Sequence, residues 1–417
     1  MKNLWLWGAG KNLEIVMEYI SNGVKISGIF DKKEELCGKR VKGVEIMTPQ
    51  KELITDNDMI LITASSYDDI MGDAERMLDV SNSQMVPFWN PEYEMEKLVG
   101  VIDVNRWKSE IEVPYLKLKI KGFQVKINNF EYEIAERILN APPAFPIIKE
   151  GIEALNRVYR EGKSLCRYGD GEFEIIFGRE RPLFQNYSIE LQERLREVLV
   201  NREDEVITCI ADNYGCLDKY TETAAYGIRT YMTLDVRKNH MQVLDLEKEY
   251  YDAYISRPYI IYKDKTKASQ IFALWKRLWR KRDVVIVEGK LSRNGYGNDL
   301  FHECNRVKRI LCPPENAWDF YHEIYQYIDK NIEKDNLILI ALGPMATVLA
   351  YDLAVRGYQA IDMGHLDNEY EWYLRGVEER VNINYKYVVE CWDGTQVEEI
   401  NAAEYESQII KYIGCGK

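Results

Sequence analysis

Residues 164–174 read SLCRYGDGEFE. The run KSLCRY has the character of a buried strand, and it ends in two acids, Asp170 and Glu172, with Gly169 before the pair and Gly171 between. Acids set between glycines at the end of a strand matter because, in open α/β sheets, ligands sit beyond the carboxyl ends of the strands. The class of sheet therefore decides how this stretch is read.

Working outward, strand-like runs recur at EVITCIA, RPYIIY, DVVIVEG, VKRILCP, NLILIALG and YQAIDMG. Between several of them lie amphipathic stretches at helical spacing: SIELQERLREVLVN with Ser188 as N-cap, TKASQIFALWKRLWRK, and ENAWDFYHEIYQYIDKN. Short buried strands alternating with helices predict an α/β fold with a largely parallel sheet from residue 146 onward.

The first hundred residues repeat the pattern in smaller form. LWLWGAG is a strand turning at Gly8 and Gly10, NLEIVMEYISNG a helix, VKISGIFD a second strand ending in Asp31, and DMILITAS a third before the helical DDIMGDAERMLD. A glycine pair followed by an acid is half of a dinucleotide fingerprint; the third glycine is missing, and Leu13 stands in its place. A Rossmann-like domain over 1–125 is expected, either nucleotide-binding or a shell for packing. The alternating YLKLKIKGFQVKI and the proline-bearing NAPPAFPI suggest a lead-in or linker over 126–145, and a second α/β domain fills 146–417.

At 417 residues two domains are the expectation, and 46% hydrophobic content is ample for their cores. A net charge of −13 argues against a nucleic-acid partner. It also means that an anionic ligand needs local help from a metal ion, a helix start or a few arginines. Eight dispersed cysteines without a CxxC pair, and only four histidines, speak against a disulfide framework or a zinc site. With no apolar run of membrane-spanning length and no signal-like start, a cytoplasmic protein is expected.

Polar constellations fall at several strand ends. Asp170 and Glu172, read as extended, point to one side and can share a divalent ion, Mn²⁺ or Mg²⁺; the plainer reading is an acidic surface turn. Arg167 beside them can face a phosphate or pair with an acid. VEGKLSRNGYGNDLF (287–301) offers Arg293, Asn298 and Asp299 on a glycine-rich loop. LILIALGPMATVLAYDLAVRG (337–357) is strand, turn and helix, where Gly343 and Pro344 leave the N–H groups up to Thr347 at a positive helix end. AIDMGHLDNEYEWY (360–373) gathers Asp362, His365, Asp367, Glu369 and Glu371. The basic, tryptophan-containing helix of 266–282 reads as core-facing, with an anionic membrane surface as the sharper alternative.

Taken in order, RYGDGE, EGxxSRNGYGNDLF, ALGPMATVLAYDLA and GHLDNEYEW resemble the bacterial glycosyltransferases of the GT-D fold, a family once named for a domain of unknown function. The similarity runs from about 146 to 410 and includes KYVVE (386–390); the N-terminal domain lies outside it. The resemblance implies a metal-dependent transferase using a UDP-sugar, with Asp170 and Glu172 as the metal-holding pair. The expected acceptor is a glycan, lipid-linked glycan or glycoprotein, and a homo-oligomer is allowed. Arg167, Gly169, Arg293, Asn298, Gly343 and Thr347 are the residues expected around the nucleotide. Asp299, His365, Asp367 and Glu369 are the candidate bases for the acceptor hydroxyl. A metal-dependent phosphoesterase, or an oxidoreductase run by the first domain, are the competing readings.

Overall fold

The computed structural model describes residues 3–65, 67–92, 95–138, 145–179, 185–391, 394–400 and 402–416. The chain divides into two compact units, Met1–Gln124 and Val125–Lys417.

In the first unit the sequence LWLW sets the layers. β1 (Leu4–Trp7) sends Leu4 and Leu6 into one core and Trp5 and Trp7 into another, because successive side chains on a strand point oppositely. Leu13, Val16 and Trp107 close over the first core, Ala74 and Leu78 over the second. The other strands are β2 (Ile26–Phe30), β3 (Arg40–Val41), β4 (Val44–Met47), β5 (Met59–Ile62) and β6 (Met85–Pro87). Their order is β3-β4-β2-β1-β5-β6, parallel except for the β3–β4 pair. Asp31, beyond β2, accepts the Ala9 N–H at 2.6 Å and the Lys33 N–H at 2.9 Å. The acid thus fastens the Gly-Ala-Gly turn to the strand beside it.

The second unit holds β7 (Ile147–Lys149), β8 (Ser164–Tyr168), β9 (Val206–Ile210), β10 (Glu249–Asp252), β11 (Asp283–Gly289), β12 (Arg306–Cys312), β13 (Leu337–Ala341), β14 (Gln359–Asp362) and β15 (Ile409–Tyr412). They form one sheet in the order β15-β12-β11-β13-β14-β8-β9-β10-β7, every neighbouring pair parallel. This is the mixed α/β class read from the alternation. Its helices begin where expected: Ser188 Oγ accepts the Leu191 N–H to open Ile189–Val200, and Pro344 opens Pro344–Val355. The basic helix Ala268–Trp279 faces inward. Trp275 and Trp279 are fully buried and donate their indole N–H groups to the carbonyls of Ile255 (3.0 Å) and Leu300 (2.8 Å). Among the described residues no helix is long and apolar enough to cross a membrane.

Three local expectations need correction. YLKLKIKGFQVKI belongs to one long helix, Val113–Ile138, not to alternating extended segments. The Leu-Lys alternation imitates a strand, but Leu and Lys are good helix formers. RPYIIY is a turn region carrying a single bridge at Tyr262; the strand is the neighbouring Glu249–Asp252. Residues 170–176, read as extended, begin a helix. The proline-bearing stretch lies largely outside the described residues.

The strand order fixes where a ligand can enter. From β8 the chain moves to β9 on one side, whereas from β14 it leaves for β15 at the opposite edge. β14 and β8 are neighbours, so their carboxyl ends flank a topological switch point, the usual crevice for ligands in such sheets.

Candidate active site

On the β8 side, Tyr168 is anchored by its hydroxyl to the Leu195 carbonyl at 2.8 Å, and Phe173, Ile175 and Ile176 bury the inner face of the helix Asp170–Ile176. Asp170 and Glu172 are therefore first-turn residues of a helix, where negative charge meets the positive end of the dipole. Two residues on a helix stand about 200° apart, so the pair does not project together as an extended segment would. Asp170 is exposed, with Oδ1 accepting the Gly171 N–H at 3.1 Å. Glu172 turns inward and accepts the Gly169 N–H at 2.7 Å. Burial pushes the Glu172 carboxyl up to about 7; the nearby Asp362 adds to the rise and Arg167 opposes it.

On the β14 side, the buried Asp362 accepts the Gly364 N–H at 2.9 Å and faces Arg167 Nη2 at 3.4 Å. Arg167 also donates to the carbonyls of Asp362 and Ala253. Thr347 Oγ1 donates to the Arg167 carbonyl at 2.7 Å, tying the helix that follows Gly343 to the same point. Gly364 is required here. Its φ is +53°, and a Cβ would fall 1.7 Å from Arg167 Nη2.

His365 follows, just before the helix Leu366–Arg375. Burial pushes its imidazole down to about 3, and the charges of Arg257, Arg167 and Arg380 act in the same direction while Glu390 opposes them. It is neutral at physiological pH. Arg257 grips Glu390 with two hydrogen bonds, 2.9 and 2.6 Å, and Arg380 approaches the same carboxylate at 3.6 Å. Burial alone would raise the Glu390 carboxyl, but Arg257 holds it well below the usual range. Three guanidinium groups thus act on one neutral histidine at the switch point.

The other sequence candidates form a different assembly. Arg293 donates to the carbonyls of Tyr385 (2.9 Å) and Glu398 (2.6 Å). Asn298 donates to Asp367 and Glu371, both at 2.9 Å. Asp367 also accepts the Gly295 N–H and faces the fully buried Lys386 at 2.5 Å. Asp299 is held below its ordinary pKa by its hydrogen bond from Lys276, and Tyr370 donates to it at 2.6 Å. These groups lock the 287–301 loop onto the helix Leu366–Arg375. Glu369, wholly buried, accepts the N–H groups of Tyr259 and Ile260 while Arg257 stands 4.0 Å from its Oε1.

The sequence candidates thus part into two sets. Arg167, Gly169, Asp170, Glu172, Thr347 and His365 meet at the β8 and β14 ends, with Glu369 joined through Arg257. Arg293, Asn298, Asp299 and Asp367 belong to the loop lock, and Gly343 opens the helix carrying Thr347. Sequence reasoning missed Arg257, Arg380 and Glu390. It missed Asp212, Asn213, Asp252 and Tyr254 as well, which stand where β9 and β10 end; Tyr254 donates to Asn213 Oδ1 at 2.8 Å. The only signal for these was a cluster of polar residues after each strand, in IADNYG and YYDAY.

A family model described as glycosyltransferase GT-D fold matches residues 165–391, and one described as C2185-like, N-terminal, matches residues 1–86. A probable glycosyl transferase Gly from Streptococcus gordonii is 36% identical over 261 residues, 62% of this chain and 37% of that protein. The glycosyltransferase GlyD of Streptococcus pneumoniae serotype 4 is 36% identical over 282 residues, 67% of this chain and 34% of its own length. The chain therefore spans little more than a third of these relatives. A solved structure of the domain of unknown function 1792 superposes with TM-score 0.62 at 34% identity, covering 70% of this chain and all of that one. Another, reported to show that this domain has a distinct glycosyltransferase fold, gives 0.61 at 36% identity over 64% of this chain and 96% of its own. With more than half of its length matched by that family's model, on a parallel sheet whose crevice gathers acids and guanidinium groups, the chain belongs to the GT-D-fold glycosyltransferases.

Proposed function

We propose that the protein transfers a sugar from a nucleotide-sugar donor, a UDP-sugar, to a glycan, lipid-linked glycan or glycoprotein acceptor on the cytoplasmic side of the cell. One juxtaposition supports this: the acid pair Asp170 and Glu172 at a helix start shares a switch point with Arg167, Arg257 and His365. Stabilising the departing diphosphate is the main electrostatic task of such a transfer.

The residues fit a hard divalent ion, Mn²⁺ or Mg²⁺. Glu172 is half-buried, and its charge is disfavoured by desolvation and by the nearby Asp362, so a cation is welcome there. Such an ion takes one or two protein carboxylates and fills its remaining positions with water and phosphate oxygens. Bound there, it would offset the negative charge developing on the leaving group. Arg167, aimed by Asp362 and given room by Gly364, would hold a phosphate oxygen from the β8 side. His365 barely takes up a proton near neutrality, which makes it a hydrogen-bond partner for donor or acceptor and a weak proton acceptor. Asp299, Asp367 and Glu369 already spend their carboxylates on Lys276, Lys386 and two backbone amides respectively.

A panel of nucleotide sugars, followed by nucleotide release with and without Mn²⁺ and with and without a glycan acceptor, tests the reading. Release that needs both the ion and the acceptor is expected. Release indifferent to acceptor would point to a hydrolase and overturn the transferase reading.

A further inference from the structure

At the ends of β9 and β10 stands a polar cluster that neither the diphosphate nor the ion accounts for. Its backbone is pinned from beneath. The buried Asp252 accepts the Tyr254 N–H at 2.9 Å and the Asp212 N–H at 3.4 Å with one oxygen, and the Tyr262 hydroxyl at 3.2 Å with the other. The Tyr220 hydroxyl donates to the Asp212 carbonyl at 3.0 Å. Two side chains keep unused capacity. Asn213 is only 6% exposed; its Oδ1 accepts the Tyr254 hydroxyl at 2.8 Å, while its amide N–H groups have no protein acceptor among the described residues. Asp212 gives Oδ2 to Lys219 at the rim, and its Oδ1 accepts from no group among the described residues. A buried amide donor without a partner is costly unless something outside the chain satisfies it.

The cluster adjoins the crevice between β8 and β14. β8 and β9 run in register, Tyr168 opposite Ile210, and the Ala211 N–H donates to the Tyr168 carbonyl at 3.1 Å. Asp170 and Asp212, each two residues further on, therefore leave adjacent strands at the same level. Arg167 donates to the carbonyl of Ala253, which lies between Asp252 and Tyr254. Burial is the main influence on the Tyr254 hydroxyl, but the charges of Asp252, Arg257 and Asp170 all reach it.

We propose that Asp212 and Asn213 form a hydroxyl-binding subsite for a sugar ring, of the donor or of the acceptor, beside the diphosphate crevice. This rests on the transferase reading above. A carboxylate oxygen that accepts, next to an amide that donates, matches two neighbouring hydroxyl groups of a sugar, each of which both gives and receives hydrogen bonds. A phosphate is the wrong ligand here, because two carboxylates, Asp212 and Asp252, stand against the single Lys219.

Two measurements on the full chain test this. Calorimetry with Mn²⁺ compares UDP with UDP-glucose, UDP-galactose and UDP-N-acetylglucosamine. Saturation-transfer NMR with the methyl glycosides of the same three sugars, in the presence of UDP and Mn²⁺, reads the acceptor side. Asp212→Asn and Asn213→Ala should bind UDP within about twofold of wild type and bind the sugar about tenfold more weakly, the loss of one hydrogen bond in each case. Loss of the preference for a UDP-sugar over UDP assigns the subsite to the donor; loss of the glycoside signal assigns it to the acceptor. Should Asn213→Ala fail to fold, Asp212→Asn, at a half-buried side chain, decides alone. Variants that treat UDP-sugars and glycosides as wild type does overturn the proposal. So does a fall in UDP affinity itself, which would place Asp212 on the ion or the ribose, and so does a wild type that binds UDP but shows neither a UDP-sugar preference nor a glycoside signal. A wild type that binds no UDP fails the transferase reading, and the proposal with it.

Discussion

Glu172 and Asp170 are two residues apart, yet they live in different environments: one is half-buried and feels the charge of Asp362, the other faces solvent. The backbone that sets this depends on small residues, and Gly364 is the sharpest case. Gly364→Ala should displace the Arg167 guanidinium and cost about 1–3 kcal/mol for the strained φ. Gly376→Ala carries similar strain (φ +63°) with nothing within 4 Å of its Cβ, so it should lose stability but keep UDP affinity. Thermal melts and UDP titrations of both variants check this; equal affinities would detach Arg167 from the ligand. A second residue-scale prediction concerns pH. His240 is buried against Phe173, hydrogen-bonded to Tyr214 and Tyr231, and pushed down to about 3, chiefly by burial. Its folded pKa lies below the unfolded one, so the unfolded chain takes up the proton first. Stability is therefore fully present above about pH 6.5 and lost as pH falls, by up to about 2 kcal/mol at pH 5 from this group. Denaturation midpoints at pH 7.5 and 5 should converge in His240→Gln relative to wild type. The acid pair and His365 were legible as residue types in the sequence. Arg257 and Glu390 were not, because they are 133 residues apart and only the fold pairs them.

Elements were legible where pattern and propensity agreed. LILIALGP gave its strand, turn and helix because apolar β-branched residues, a glycine with φ +57° and a proline at the first helical position point the same way. The helix Val113–Ile138 misleads because a local period of two, Leu-Lys-Leu-Lys, overlies a longer period of three and four. DGE misleads for a related reason: three residues cannot reveal whether a strand continues or a helix has begun. The helix Ala268–Trp279 yields a prediction at this scale. Its tryptophans are buried and hydrogen-bonded, so Trp279→Ala should cost about 3–5 kcal/mol and leave vesicle partitioning unchanged. A loss of vesicle binding with undiminished stability would turn the helix outward.

At the scale of the molecule, every candidate site residue lies in the unit Val125–Lys417, and the family match falls within it. A chain lacking residues 1–100 should accordingly keep divalent-dependent UDP binding, measurable by calorimetry; its loss in a folded fragment would give the first unit a part in the site. The parallel sheet and the two α/β units were readable from alternation alone. The division of the polar motifs into a ligand crevice and a loop lock was not, since strand order, which decides it, is a long-range property. The most direct measurement is calorimetric titration of UDP into wild type, Asp170→Ala and Glu172→Ala, with Mn²⁺ and with chelator. Binding that requires Mn²⁺ in wild type and vanishes in both variants is the expected result; equal affinity in all three, with or without the ion, would contradict it.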